Sequence, residues 1–405
     1  MLFTDSMQNG TTNGTEYSVT IEELNRQQVL IRIPSTILVI LTMTIGFVGN
    51  ILTIYIYGFR LKLSPTYLFV VMLACADLIL CAVVSPSRIV QNVYPMMTTW
   101  DSMCKNHMCL SVFVGLCNCG FLMAIATDRY RKVCHLLKPQ ITMKAAKIIT
   151  VFIFVFSAIQ GSIAILYYGS IRKPTNYPGI YSYSCSAKIY KKLNYYQLGF
   201  FAFYFLLTMF TLIFLCVVYT IILRKMKVKE ENSIELQQNR KSIRSALYPD
   251  EAQRRWSNIP KINDINQLAL NSNEELSRIG SPSGVSPEDK SNLGTKNTVL
   301  LASKLQETYR VRRAREQTKR LQRNTVTMLM VTIILIVTYI PSVIAMIVNA
   351  ILKSEDTMSV TAGIFYWLAR HTLYINSSLN PIIYSFRHQN FIDEVKYLFG
   401  IKHKI

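Results

Sequence analysis

The sequence predicts an all-α membrane protein, a bundle of seven transmembrane helices followed by a short amphipathic eighth helix. Two observations support this fold class. The 405-residue chain is 51% hydrophobic yet carries a net charge of +21, because its apolar residues form long blocks with Lys and Arg between them. A bilayer core requires about 20 consecutive apolar residues per spanning helix, and the blocks reach that length. Backbone groups in hydrocarbon find no water, so each block is expected to be helical.

Seven apolar runs divide the chain. They cover residues 34–57, 66–90, 108–130, 145–168, 197–223, 324–351 and 361–386. The predicted parts are a glycosylated exterior tail (1–33), spans one to five (34–223), a long cytoplasmic third loop (224–323), spans six and seven (324–386), and an amphipathic helix with a short tail (387–405).

Orientation follows from the connectors between the runs. Lys and Arg are in excess after runs one, three and seven, and such connectors are typically cytoplasmic. The connector between runs four and five is also basic, which weakens the bias. The sequons at Asn9 and Asn13 are consistent with an exterior amino terminus. We therefore expect a multi-pass plasma-membrane protein with its amino terminus outside the cell.

The long third loop has a composition of its own, with Lys and Arg in excess of Asp and Glu and many Ser, Asn and Gln residues. Its middle is predicted to be disordered, and its ends (224–227 and 309–323) to extend runs five and six as helices. The basic residues flank apolar runs and can face lipid headgroups, which disfavours nucleic-acid binding. Ser257 follows two arginines and fits a basophilic kinase site.

After run seven, Phe391, Val395 and Leu398 recur at helical spacing, with charged residues on the other side. This pattern predicts a short amphipathic helix that lies on the membrane.

Two ionisable residues within the runs stand out. Asp77 is the only acidic residue deep inside any run, and such residues are costly and usually functional. The structural alternative is a hydrogen-bond partner for Asn50 and Asn380. Arg129 closes run three, where an arginine that extends to the interface would be unremarkable.

Four motifs occur in order on the expected runs. They are Gly49-Asn50, Leu73-Ala74-Cys75-Ala76-Asp77, Asp128-Arg129-Tyr130 and Asn380-Pro381-Ile382-Ile383-Tyr384. On these motifs the chain resembles the rhodopsin-like (class A) G-protein-coupled receptors, as a divergent member most similar to invertebrate neuropeptide receptors. The resemblance implies an extracellular ligand and a heterotrimeric G protein, with arrestin and receptor kinases as further partners.

The resemblance also implies residue roles. The G-protein switch would comprise Asp128, Arg129, Tyr130, Tyr219, Asn380, Pro381 and Tyr384, with Asp128 restraining Arg129 in the inactive receptor. Leu321 stands where an acidic partner on run six is usual, so basal activity is expected. A water-filled polar core that can hold sodium, which prefers oxygen ligands, would comprise Asn50, Asp77, Asn118, Asn376, Ser377 and Asn380. Cys104 and Cys185 match the family's disulfide; two unpaired thiols are the alternative.

Some residues depart from the family pattern. Tyr339 replaces the usual tryptophan of run six, and Thr211 and Leu136 replace prolines. Ser111 stands where amine receptors carry an aspartate, and Tyr374 where opsins carry a lysine. Amine and retinal ligands are therefore disfavoured, and a neuropeptide is favoured.

The predicted ligand pocket consists of Arg88, Gln91, Ser111, Tyr339, Arg370 and Tyr374. Its arginines can meet an acidic or amidated peptide, or can simply extend to the interface. A receptor for a non-peptide small molecule and a non-signalling decoy receptor remain as alternatives. No internal repeat, pore loop or catalytic cluster favours a transporter, a channel or an enzyme.

Overall fold

We describe the fold from a computed structural model. The described residues are 19–135, 138–187, 194–247, 326, 329–330, 333–345, 348, 358–387, 389–398 and 400. The predicted sites at Asn9, Asn13 and Ser257, the residues Leu136 and Leu321, and the side chain of Tyr384 lie outside this description.

The first helix is longer than run one. Helix α1 covers Ile21–Tyr55 and continues into a π-helical turn at Ile56–Arg60. Thr20 caps its amino terminus, because the Thr20 hydroxyl accepts a hydrogen bond from the backbone N–H of Glu23. Pro34 lies inside the helix rather than at its start. Helical structure thus reaches well into the segment predicted as tail.

Run two contains a π-helical interruption. Helix α2 (Pro65–Ile79) is followed by a π-helical turn (Leu80–Val84) and by helix α3 (Ser85–Val93). Pro86 has no N–H to donate within the helix, and π turns are a common way to absorb such a defect. The Ser85 hydroxyl donates to the Leu80 carbonyl at 2.9 Å and so satisfies one carbonyl of the turn.

The other described helices follow in chain order. They are α4 (Asp101–Cys134), α5 (Met143–Tyr167), α6 (Asn194–Leu247), α7 (Ile333–Ala345), α8 (Val360–His371), α9 (Leu373–Arg387) and α10 (Gln389–Leu398). Among the described residues, five helical segments are long and apolar enough to cross a membrane, with α2, its π-helical turn and α3 counted as one (Pro65–Val93), and α7 is a shorter apolar helix. Of the two predicted helical extensions, 224–227 is present, since α6 continues through it, and 309–323 lies outside the described residues. By internal contacts the chain divides into two units, residues 1–223 with 321–405, and residues 224–320.

The distribution of side chains is that of a membrane protein. Large apolar side chains such as Ile148, Phe152 and Leu166 are exposed on the outer surface of α5. Polar side chains such as Asp77 and Asn380 are buried inside the bundle. This arrangement favours hydrocarbon outside and hydrogen bonding inside.

An antiparallel β-hairpin lies between α5 and α6. Strand β1 (Tyr168–Pro174) pairs with β2 (Tyr181–Ala187), and Gly179 supplies the positive φ of +81° in the connecting turn. The hairpin is the one strand element within the described residues, and the helix-based sequence prediction did not include it. The disulfide Cys104–Cys185 ties β2 to the start of α4, as predicted. We call this face of the bundle the hairpin end.

Helix α10 packs against the end of α1. Phe391 is fully buried and stacks on Tyr57, with ring centroids 5.4 Å apart. Glu394 forms a 3.0 Å ion pair with Arg60. A predicted polar-face residue is therefore used as an anchor. The position of α10 on a membrane surface stays a prediction.

Candidate functional site

A cavity of about 190 Å³ lies among the helices and gathers most of the predicted pocket. Its lining includes the predicted pocket residues Arg88, Ser111, Tyr339, Arg370 and Tyr374. Leu80, Val84, Met108, Val112 and Leu335 supply apolar surface. Gln91 joins through a hydrogen bond, because its side-chain oxygen accepts from Arg88 Nη1 at 3.0 Å. Ligand sites are typically apolar with a few well-placed polar groups, and this cavity has that character.

Arg88 is held by a chain of neutral partners. Arg88 Nη2 lies 2.6 Å from His107 Nε2, and His107 Nδ1 lies 2.7 Å from the Ser87 hydroxyl. Arginine can only donate, so His107 Nε2 accepts and Nδ1 carries the proton. Ser87 donates onward to the Val84 carbonyl at 2.8 Å. His107 is therefore a neutral ring in this arrangement, and it orients the guanidinium without cancelling its charge.

A second group of cations surrounds Trp367. The Arg32 guanidinium lies 3.9 Å from the centre of the Trp367 ring, and that of Arg370 lies 5.5 Å from it. Arg370 also donates to the Tyr366 hydroxyl at 2.7 Å. Cation–π contacts stabilise such guanidinium groups in a partly apolar setting. The cavity is thus positively charged on the α8 side as well.

His371 presents an acceptor to the cavity. Its Nδ1 lies 2.7 Å from the Trp367 carbonyl, so Nδ1 carries the proton. Its Nε2 is buried and makes no hydrogen bond to a described residue, and His371 lines the cavity. The side chain of His371 is 1% exposed. A buried polar atom without a partner calls for an explanation.

Two tyrosines form one wall of the cavity. The Tyr339 hydroxyl is hydrogen-bonded to that of Tyr204 on α6. Gly115 makes room for this pair, because a Cβ there would lie 2.6 Å from the Tyr204 hydroxyl oxygen. Tyr339, a predicted pocket residue, thus lines the cavity and makes a polar contact with Tyr204 of a second helix.

Asp77 is the centre of the predicted polar core. Its Oδ1 accepts from Asn118 Nδ2 at 2.8 Å and from the Ser377 hydroxyl at 2.6 Å. Its Oδ2 accepts from Asn380 Nδ2 at 2.8 Å. Asn50 belongs to the same region but donates to the backbone carbonyls of Gly46 and Ser377 instead. Asp77 is fully buried, so these three donors provide the hydrogen bonds that a buried carboxylate requires.

The core also contains amide oxygens that make no hydrogen bond to a described residue. These are Oδ1 of Asn50, Asn118, Asn376 and Asn380. Together with the Asp77 carboxylate they form an oxygen-rich donor set, which is the ligand chemistry that hard cations prefer. The predicted residues therefore fit a sodium ion. Its binding stays a prediction.

The predicted switch lies at the opposite end of α4. Asp128 is fully buried, and Arg129 is 4% exposed. Asp128 Oδ2 accepts a hydrogen bond from Lys132 Nζ at 2.7 Å, and Thr66 Oγ1 lies 2.5 Å from the same oxygen. Lys132 also contacts Thr66 at 2.6 Å. In this structure Lys132 therefore neutralises the carboxylate that the family resemblance assigns to Arg129.

Other switch residues are placed as follows. Tyr130 packs edge-to-face on His135, with 3.2 Å between the Tyr130 hydroxyl and His135 Nε2. Tyr219 is buried on α6. Pro381 lies in α9 beside Gly49 of α1, where a Cβ would come within 2.6 Å of the proline ring. The glycine of the first motif thus permits close contact between α1 and α9.

Sequence reasoning missed three functional candidates. His107 lies one residue before predicted run three, and nothing in the sequence marked it as the partner of Arg88. Lys132 was legible, because it stands four residues after Asp128 on a helix. Tyr204 carried no signal beyond being an aromatic residue in an apolar run.

The long apolar helices and the buried polar groups are those of a helical membrane protein with a central cavity. The chain matches the family described as 7 transmembrane receptor (rhodopsin family) over residues 49–384, and it belongs to that family. This makes it a multi-pass membrane receptor of the G-protein-coupled type and not an enzyme.

Individual relatives resemble only part of the chain. It is 30% identical to trace amine-associated receptor 3 of Rattus norvegicus over 142 residues, which are 35% of this chain and 40% of that protein. It is 28% identical to the thyrotropin-releasing hormone receptor of Gallus gallus over 163 residues, 38% of this chain and 40% of that receptor. It is 26% identical to the alpha-2A adrenergic receptor of Danio rerio over 154 residues, 37% of each chain. These matches span well under half of each relative's length, and the relatives' names point to different ligands.

Proposed function

We propose that this receptor binds a peptide-like extracellular ligand in the cavity and activates a heterotrimeric G protein at the end that carries Asp128 and Arg129. In this proposal the amino terminus and the hairpin end face the exterior. An epitope tag at the amino terminus that is detected on intact cells supports this orientation, and detection only after permeabilisation contradicts it.

One observation supports the coupling of the two ends. Asn118 and Ser377 line the cavity and also donate to Asp77. Asn380 donates to the same carboxylate and begins the Asn380–Tyr384 motif of α9. A ligand that shifts α4 relative to α9 therefore changes the partners of Asp77 directly. A monovalent cation held there by Asp77 and the amide oxygens would neutralise the carboxylate and favour one arrangement.

The charge of the cavity disfavours a cationic ligand. Ser111 cannot form the ion pair that an ammonium group needs, and its hydroxyl donates to the His107 carbonyl at 2.6 Å. Arg88 and Arg370 line the same cavity. A cationic amine would meet like charge there, which disfavours the ligands named for the trace amine and adrenergic relatives.

A non-peptide small molecule is the second candidate, and the size of the cavity favours it. Drug-sized ligands usually occupy about 300–1,000 Å³, whereas this cavity is about 190 Å³. A peptide would place one residue inside and the remainder against the hairpin end. A truncation series separates the two, because a peptide ligand loses potency stepwise on shortening while a small molecule needs no extension.

The test is a G-protein dissociation reporter in cells that express the receptor, screened with peptides in free-acid and amidated forms. We expect a responding peptide to lose its signal in Arg129→Gln while its binding is retained. A ligand that binds the wild-type receptor without G-protein dissociation would indicate a decoy receptor. Arrestin recruitment and alanine at Ser257 test the remaining predicted partners and the predicted phosphorylation.

A further inference from the structure

Arg88 and His371 line the cavity, and Gln91 is hydrogen-bonded to Arg88; their polar atoms specify a ligand group more narrowly than the word peptide does. Arg88 Nε, Gln91 Nε2 and His371 Nε2 are buried and make no hydrogen bond to a described residue. The first two are donors and the third is an acceptor. Gln91 is 5% exposed and His371 is 1% exposed, so water cannot easily satisfy them.

One of the two donors, Arg88 Nε, belongs to a cation. Arg88 donates from Nη1 to Gln91 and from Nη2 to His107, and both partners are neutral. Among the described acidic residues, Glu23, Asp101, Asp128 and Glu394 are ion-paired elsewhere, and Asp77 is bound by Asn118, Ser377 and Asn380. A guanidinium that retains free donors and a full charge is best matched by a carboxylate.

The acceptor, His371 Nε2, belongs to a residue of α8 that lines the same cavity. His371 Nδ1 is hydrogen-bonded to the Trp367 carbonyl, so Nε2 is left as an acceptor for an N–H group of a ligand. An N-acylated α-amino acid carries a carboxylate and an amide N–H on the same carbon. It therefore supplies an acceptor for Arg88 and a donor for His371 at once.

We propose that the cavity recognises an N-acyl α-amino acid carboxylate, with Arg88 binding the carboxylate and His371 accepting the amide hydrogen. The side chain would lie against Leu80, Met108 and Leu335. This inference rests on the proposed use of the cavity as the ligand site. The same chemistry occurs at the free carboxyl end of a peptide and in a small N-acyl amino acid.

The test is thermal unfolding of the purified full-length receptor with matched probes. N-acetyl-L-phenylalanine carries both groups, 3-phenylpropanoate lacks the amide N–H, and N-acetyl-L-phenylalaninamide lacks the charge. We expect the first to bind about tenfold or more tightly than the amide, since hydrogen bonds to charged groups are the stronger ones. Equal shifts by the acid and the amide, or no shift by either at millimolar concentration, overturn the proposal.

Variants assign the two contacts. Arg88→Gln should abolish the preference for acid over amide, and Arg88→Lys should retain part of it. His371→Phe should abolish the preference for N-acetyl-L-phenylalanine over 3-phenylpropanoate and leave the preference for acid over amide unchanged. Arg26→Gln is the control, because Arg26 is exposed on α1 and pairs with Glu23. An acid preference that survives Arg88→Gln while the protein unfolds normally overturns the assignment.

Two further measurements distinguish a peptide ligand from a small acid, and failure of the carboxylate site from failure of the proposed function. Gly-Gly-L-Phe as free acid and as amide reports whether a peptide end is accepted; a small acid that binds while the peptide acid does not assigns the site to small N-acyl amino acids. G-protein dissociation is then measured with each binding probe. Binding without dissociation contradicts the proposed function and leaves the carboxylate site intact. G-protein dissociation driven equally by the acid and the amide supports the proposed function and contradicts the carboxylate site.

Discussion

Replacing Lys132 with methionine should lower basal signalling. Lys132 Nζ lies 2.7 Å from Asp128 Oδ2, and Asp128 is 1% exposed in its side chain. Arg129 is adjacent and buried, with its Nε making no hydrogen bond to a described residue. With Lys132 removed, the adjacent Arg129 is a buried cation that can take its place beside the carboxylate. The restraint on Arg129 that the family resemblance implies should then strengthen.

The expected fall in basal signalling follows from the strength of the Lys132–Asp128 hydrogen bond. A hydrogen bond to a charged group contributes about 1.5–3 kcal/mol. The Lys132 side chain is 27% exposed, so solvent screens it and we take the lower value. About 1.4 kcal/mol corresponds to a factor of ten in an equilibrium constant, so the active fraction should fall about tenfold.

The assay is ligand-independent G-protein dissociation at matched surface expression. Lys132→Arg should retain the wild-type signal, because the charge remains. Lys147→Met on α5 is the matched control, since Lys147 is exposed. In an Asp128→Asn background, Lys132→Met should have no further effect. An unchanged or raised signal in Lys132→Met, or a wild-type receptor without basal signal, would refute the reasoning.

Three other substitutions test the packing and the core by thermal unfolding of the purified receptor. Asp77→Asn replaces an acceptor of three hydrogen bonds with a side chain that has one acceptor oxygen and brings its own donors, so stability should fall by about 1–3 kcal/mol; an unchanged unfolding temperature would contradict the contacts. Gly49→Ala should cost about 1–3 kcal/mol, because its Cβ would meet Pro381, whereas Gly58→Ala has its nearest contact at 3.9 Å and should be neutral. Cys104→Ser should cost about 2–4 kcal/mol by releasing the hairpin, and equal sensitivity of wild type and variant to reductant would argue against this role.

Features with a strong local signal were predictable from the sequence. The apolar runs are set by bilayer thickness, and the Cys104–Cys185 disulfide and the contacts of Asp77 with Asn118 and Asn380 agree with what the family resemblance implies. The early start of α1 was not predicted, because Pro34 and the polar residues before it suggest a boundary. Tertiary contacts override that signal, since Asn25 bonds to the Val93 carbonyl and to the Met96 N–H.

Side-chain pairing between helices was less predictable. The contact of Arg88 with His107 joins α3 to α4, and its geometry depends on the π-helical turn that precedes α3. A π-helical turn changes which way the following side chains point, and the sequence pattern alone does not indicate this change. The sequence indicates the Lys132 pairing by an i,i+4 spacing from Asp128, but the family motif assigns Arg129 as the partner of Asp128.

The departures from the family pattern are physically connected. Thr211 replaces a proline in α6, and its hydroxyl donates to the Leu207 carbonyl at 2.9 Å. Tyr204 lies about two turns before Thr211 on the same helix and bonds to Tyr339, which replaces the tryptophan of α7. A tyrosine pair is directional, because each hydroxyl must keep a partner when buried, whereas an indole packs mainly by area. Movement of α7 in this receptor therefore has to break or carry along the hydrogen bond to α6, which couples the wall of the ligand cavity to the helix that continues to the cytoplasmic loop in the proposed orientation.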